Sequence, residues 1–123
     1  MIEYGKELII DLHNCNSAQF TRTHIRKYFI KLCGLIDMER CKLVWWDDLH
    51  TPKGEEETEP HLIGTSAIQF IKTSNITIHA LEQLHKVYLN IFSCKDFDDI
   101  VVSQFSEEWF DGEIVNRRVI SRI

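Results

Sequence analysis

Apolar and polar residues trade places with period two in several stretches of this 123-residue chain, a spacing that sets successive side chains on opposite faces of a strand. Residues 4–12 (YGKELIIDL) end in such a run, punctuated by Gly5 before it and His13-Asn14-Cys15-Asn16 after it. Residues 41–46 (CKLVWW) predict a second strand, in which Trp45 and Trp46 point opposite ways and call for cover on both faces. Further strands are expected over residues 63–71, over 75–80, where Ile76 and Ile78 oppose Thr77 and His79, and over 87–94 (VYLNIFSC). In VYLNIFSC, Tyr88, Asn90, Phe92 and Cys94 share one parity, and Val87, Leu89, Ile91 and Ser93 the other. EIVNRRVISRI, after the Asp111-Gly112 break, predicts a closing strand.

Two stretches switch to helical period. Phe20, Ile25, Tyr28, Phe29, Leu32 and Ile36 form one apolar stripe, with Arg22, Arg26, Lys27 and Lys31 largely off it. Asn16 or Ser17 is the expected cap, and Gly34 the expected end. Phe97, Ile100, Val101, Phe105 and Trp109 mark a second helix capped by Asp96. The order βαβββαβ predicts an α+β fold: a two-layer α/β sandwich whose mainly antiparallel sheet carries both helices on one face. The opposite face is left apolar, and a homodimer packed sheet against sheet would cover it.

Length and composition narrow the function classes. The chain reads as a single domain, 1–123, long enough for one core. No run approaches the roughly 18 apolar residues of a membrane span. The start MIEYGKELII lacks the basic region and cleavage site of a signal peptide. A cytoplasmic protein without a membrane partner is therefore expected. The net charge of −5 argues against nucleic acid, and Arg117, Arg118 and Arg122 read as a solvated edge. Cys15, Cys33, Cys41 and Cys94 form no CxxC pair, so no zinc site or disulfide framework is signalled, and Cys33 and Cys41 read as small buried thiols. His13, His24, His50, His61 and His85 lack ligand spacing and read as surface or cap residues, with no metal expected. The acidic stretch 47–60 reads as a mobile, solvated loop.

The reactive side chains concentrate in residues 64–94 as Ser66, Ser74, His79 and Cys94. Each alone is an ordinary strand residue. Jointly they suit chemistry on the chain's own backbone. A serine hydroxyl at position 74 can attack the carbonyl carbon of Thr73 and convert the amide to an ester. That step is uphill and needs a strained turn, a polarised carbonyl and a nearby base. Removal of the serine α-proton then expels the acyl group by β-elimination. The dehydroalanine left behind tautomerises and loses ammonia, leaving a pyruvoyl ketone at the new N-terminus.

These residues resemble a family, the short prokaryotic S-adenosylmethionine decarboxylases, which are pyruvoyl-dependent and cleave themselves at an internal serine. The resemblance rests on Gly64-Thr65-Ser66, then on Ser74-Asn75-Ile76-Thr77-Ile78-His79, whose serine comes eight residues after Ser66. Ile91-Phe92-Ser93-Cys94 follows, its cysteine fifteen residues after the histidine, and Gly5-Lys6-Glu7-Leu8-Ile9-Ile10-Asp11-Leu12 is similar to the family's opening strand. The likeness spans most of residues 4–95. It implies that Ser74 is the pyruvoyl precursor and that cleavage between Thr73 and Ser74 gives a β subunit 1–73 and an α subunit 74–123. It further implies His79 as the base at the α-carbon, Ser66 as a hydrogen-bond partner of the ester, and Cys94 as the acid that protonates the decarboxylated carbon. The covalent pyruvoyl (pyruvate) group would be the only cofactor, forming a Schiff base with the substrate amine. The implied activity is decarboxylation of S-adenosylmethionine for spermidine and polyamine biosynthesis. Glu7 and Asp11 either line a pocket for a sulfonium or amino group or are simply solvated.

Three positions depart from the family pattern. Thr73-Ser74-Asn75 stands where the family usually has Glu-Ser-His, Ala80-Leu81-Glu82-Gln83 where it has Thr-Trp-Pro-Glu, and no aromatic precedes Gly64-Thr65-Ser66 to stack on an adenine. Two alternatives stay open at this point: a homologue that does not process itself and serves as a binding or regulatory protein, and a decarboxylase of arginine or ornithine.

Overall fold

The computed structural model describes residues 2–123. Its elements are β1 (Gly5–His13), α1 (Arg22–Leu35), β2 (Arg40–Trp46), β3 (Thr65–Ile71), β4 (Ser74–Leu81), β5 (Lys86–Ser93), α2 (Asp99–Phe110) and β6 (Glu113–Arg122), with single 3-10 turns at Ser17–Gln19 and Pro60–Leu62. Four strands separate the helices, matching the four stretches expected over 41–46, 63–71, 75–80 and 87–94, where the order βαβββαβ counts only three. The strands form one six-stranded sheet, ordered β2-β3-β4-β5-β1-β6. Every neighbouring pair is antiparallel.

Alternation along the strands decides which face is covered. Leu8, Ile10, Leu12, Ile76, Ile78, Val87, Leu89 and Ile91 point to the helix side and are buried. There they meet Ile25, Tyr28, Phe29 and Leu32 of α1 and Val102 and Phe110 of α2. The two helices are joined through a buried contact between the Tyr28 hydroxyl and Ser106 Oγ at 2.7 Å. The other face carries no helix. Trp46 is 83% exposed there, beside Val44, Ile68 and Phe70. Cover on both sides of β2 is thus met only for Trp45, which packs on the core and under the Arg22 and Arg26 guanidiniums.

The helix ends differ from expectation. Asn16 caps the 3-10 turn by accepting from Ala18 N–H, and Thr21 caps α1 by accepting from His24 N–H. Gly34 lies inside α1, which ends at Leu35. Asp98, not Asp96, caps α2, accepting from Ile100 and Val101 N–H. Ile100 and Val101 are exposed, and the buried face of α2 is Val102, Ser103, Ser106 and Phe110. Ser103 and Ser106 are buried without penalty because each hydroxyl donates to the carbonyl four residues back, Asp99 and Val102. Cys33 is buried as expected, whereas Cys41 is exposed on the edge strand β2. In the acidic stretch, Asp47 accepts both Arg22 guanidinium hydrogen bonds and Asp48 accepts from Thr51 and from Glu57 N–H, so these two carboxylates hold structure. No helix of the described residues is long and apolar enough to cross a membrane.

Candidate active site

The hairpin β3–β4 and the strand β5 place all four reactive residues, but in two groups. Ser66 and His79 are direct cross-strand partners, and so are Trp46 and Ser66, and His79 and Tyr88. The four side chains therefore make one row across the open face, Trp46–Ser66–His79–Tyr88. Ser66 Oγ lies 2.7 Å from His79 Nδ1. Gly64 sets the entry to β3: a Cβ there would stand 2.6 Å from the Ala80 carbonyl oxygen. Two shallow clefts flank the pair. One, of about 380 Å³, is lined by Trp46, Ser66, Ile68, Thr77 and His79. The other, of about 430 Å³, is lined by Trp46, Glu57, His61, Ser66, His79 and Tyr88. A roomier cleft of about 580 Å³, around Thr21, Asp47, Thr65 and Glu82, contains none of the four reactive residues.

The second group sits at the hairpin turn. Ile71 pairs with Ser74, so Lys72 and Thr73 alone make the turn. Thr73 has φ 51°, a left-handed conformation usually given to Gly or Asn at such positions. For a β-branched residue it is a true outlier, costing about 1–3 kcal/mol. That strain is held on the residue whose carbonyl precedes Ser74. Ser74 is buried and Cys94, one residue beyond β5, is exposed. Ser74 Oγ accepts from Cys94 N–H at 3.0 Å and donates to Cys94 Sγ at 3.6 Å. Thr73 Oγ1 lies 3.2 Å from the same sulfur and donates to the Lys72 carbonyl at 2.8 Å. Hydrogen bonds from Thr73 first and Ser74 second hold the Cys94 thiol below its ordinary value. Burial does the reverse to Cys15 and Cys33, each pushed up to about 11. Of these three thiols only Cys94 is exposed and held toward its thiolate.

The structure joins Ser66 to His79 and Thr73 and Ser74 to Cys94, but it does not join the pairs. The separation is five residues along β4, about 16 Å at the rise of a strand. His79 and Ser66 therefore cannot touch Ser74 or its preceding carbonyl within one chain. Glu7 and Asp11 lie outside the clefts described, partly exposed and hydrogen-bonded to neighbouring strands. Glu7 accepts from Asn90 and Arg122, and Asp11 from Asn116.

Three participants escape the sequence motifs. Trp46 walls both clefts, and its signal was the Trp45-Trp46 parity. The Thr73 side chain matters as well as its carbonyl, and its signal was a β-branched residue in a two-residue hairpin turn. Tyr4 stacks on Phe92, with ring centroids 6.2 Å apart, and its hydroxyl adds a lesser hydrogen bond to Cys94. Among the described residues no group of three or more His, Cys, Asp or Glu side chains could hold a metal ion.

Comparison with known proteins agrees with this architecture. A family model described as S-adenosylmethionine decarboxylase matches residues 6–123. A solved structure, the adenosylmethionine decarboxylase from Aquifex aeolicus VF5, superposes with a TM-score of 0.76 at 13% identity, covering 99% of this chain and 92% of that one. No curated protein matches the sequence.

Proposed function

Starting from a chain that belongs to the S-adenosylmethionine decarboxylase family, we propose that it cleaves itself between Thr73 and Ser74 and decarboxylates S-adenosylmethionine with the pyruvoyl group so formed. The single observation that carries this reading is the hairpin turn. A strained Thr73 precedes a buried Ser74 whose hydroxyl is held between the Cys94 amide and the Cys94 sulfur. Position 74 fits a covalent group of this kind, since it lies at a strand end beside a thiol that can exchange a proton. Once formed, the pyruvoyl group supplies the electron sink for the bond to CO₂. The chain's own residues orient substrate and move protons. Cys94 Sγ stands beside position 74, where a proton must be returned to the substrate carbon. Trp46 and Tyr88 offer flat aromatic walls to a heterocyclic base in clefts of ligand size.

The separation of the two groups implies that a second copy completes each site. Val44, Trp46, Ile68 and Phe70 leave an apolar patch on the open face, of the kind that marks an interface. Two such faces packed about 10 Å apart, with a two-fold axis running across the strands at the level of Ile68 and Thr77, exchange the two groups. Ser66 and His79 of one copy then come to the level of the Thr73–Ser74 bond and Cys94 of the other, while the Ser74 side chain itself keeps the buried parity of Ile76 and Ile78. In that arrangement His79 removes the Ser74 α-proton across the interface and Ser66 hydrogen-bonds the ester.

A non-processing homologue is the second reading, favoured by Thr73 and Asn75 at positions where the family usually has Glu and His. Intact mass separates the two. Processing yields fragments 1–73 and 74–123, the second blocked to Edman degradation, whereas the alternative leaves one chain of 14.5 kDa.

A further inference from the structure

Resting on the self-processing reading, we propose that Cys94 is the base for the first step, taking the Ser74 hydroxyl proton, and that the Thr73 hydroxyl is the positioning residue that holds the sulfur for it. The hydrogen bonds around the turn converge on the sulfur. Ser74 O–H points to Cys94 Sγ at 3.6 Å, and Thr73 Oγ1 lies 3.2 Å from the same sulfur, so its one hydroxyl hydrogen, given to the Lys72 carbonyl at 2.8 Å beside a neutral thiol, turns to the sulfur of a thiolate. The Cys94 amide donates to Ser74 Oγ at 3.0 Å, which fixes the serine oxygen while its proton faces sulfur. No imidazole of the same chain is in reach, because His79 lies five residues down β4 and is engaged with Ser66, and the partner copy's His79 is assigned to the later removal of the α-proton. In its own chain, Cys94 is the basic group that touches the nucleophile.

The step balances. The Cys94 thiolate takes the Ser74 Oγ proton as Oγ bonds to the Thr73 carbonyl carbon. As the Thr73–Ser74 C–N bond breaks, the thiol returns that proton to the departing nitrogen, giving the ester, a free Ser74 amine and the thiolate again. Cys94 is suited to this because hydrogen bonds, chiefly that of Thr73, favour its thiolate. The groups facing the sulfur are Thr73 and the Lys72 carbonyl from the turn, Ser74 from β4, and the Tyr4 hydroxyl from the segment before β1. The flanking charges are engaged elsewhere, Lys95 with Asp37 and Asp96 with Lys6.

The test follows self-cleavage of freshly purified, uncleaved protein by intact mass across pH. Alkylation of Cys94 by iodoacetamide, quantified at the peptide level, is followed in Ser74→Ala backgrounds with Thr73 or Val at position 73. The expected cleavage rate rises with pH and levels off at the thiol's own transition. Cys94→Ala slows it about 100-fold and removes that limb. Thr73→Val moves both the cleavage limb and the alkylation transition to higher pH, and Thr73→Ser restores them. Cleavage of Cys94→Ala at the wild-type rate with an unchanged pH profile would overturn the base assignment while leaving self-processing intact. An alkylation transition unmoved by Thr73→Val overturns the role of Thr73. A wild-type chain uncleaved at every pH overturns the self-processing reading and the base assignment with it.

Discussion

The two reactive groups of this chain are built on opposite principles. Ser66 and His79 lie in mid-strand, in register and on one parity, so regular pairing alone brings them to 2.7 Å. Thr73, Ser74 and Cys94 lie where the strands end, and they meet through a turn that holds a threonine at φ 51°. The first group is relaxed, exposed and beside clefts. The second is strained and has no cleft of its own among those described. Within one chain the two groups stand about 16 Å apart along β4.

The largest effects should fall on the strained group. Ser74→Ala is expected to abolish cleavage outright, read by intact mass, while circular dichroism stays native. Next comes the exchange between copies. His79→Ala should slow cleavage by about 100-fold or more, yet co-expression with Ser74→Ala should restore it. Mixed dimers then hold one complete site, in which the His79→Ala chain is the one cut. Failure to rescue, with dimers present, would place both groups' work within a single chain. Trp46→Glu puts a charge on the apolar patch. A shift from dimer to monomer in sedimentation, with cleavage lost and the fold kept, is the expected outcome.

Smaller effects sharpen the contrast in strain. Thr73→Gly should raise stability by about 1 kcal/mol in urea unfolding, since glycine accepts positive φ freely, while slowing cleavage through loss of the hydroxyl. The smallest expected change is in pH dependence far from either group. The Arg22 guanidinium holds the Asp47 carboxyl below its usual range, so this pair contributes stability above the unfolded carboxylate pKa and loses it as pH falls through the lower, folded one. Asp47→Asn should flatten the acid limb of the unfolding curve.

The strands were legible because period two is a local property. Ile76, Ile78, Val87, Leu89 and Ile91 are buried as their parity requires. Helix starts were not. Asn16, Ser17 and Thr21, or Asp96 and Asp98, are equally able caps, and only the position of the helix on the sheet selects among them. The inner face of α2 was obscured by Ser103 and Ser106, polar residues that bond their own helix and so pack as small core groups. The site residues were legible as a spacing, and Ser66 with His79 and Ser74 with Cys94 do meet. Their division into two pairs follows from five residues of one strand between Ser74 and His79, whereas which pairs touch depends on the register of β4 against β3 and β5, which spacing along the chain does not give. The use of Thr73 was hidden for another reason: its positive φ comes from the closure of β3 on β4, which propensity opposes.

The most direct test is the intact mass of the purified wild-type chain after prolonged incubation. Two fragments dividing between residues 73 and 74, the C-terminal one carrying a pyruvoyl in place of serine, are the predicted result. A single unbroken chain under conditions where it is folded and dimeric would contradict the account.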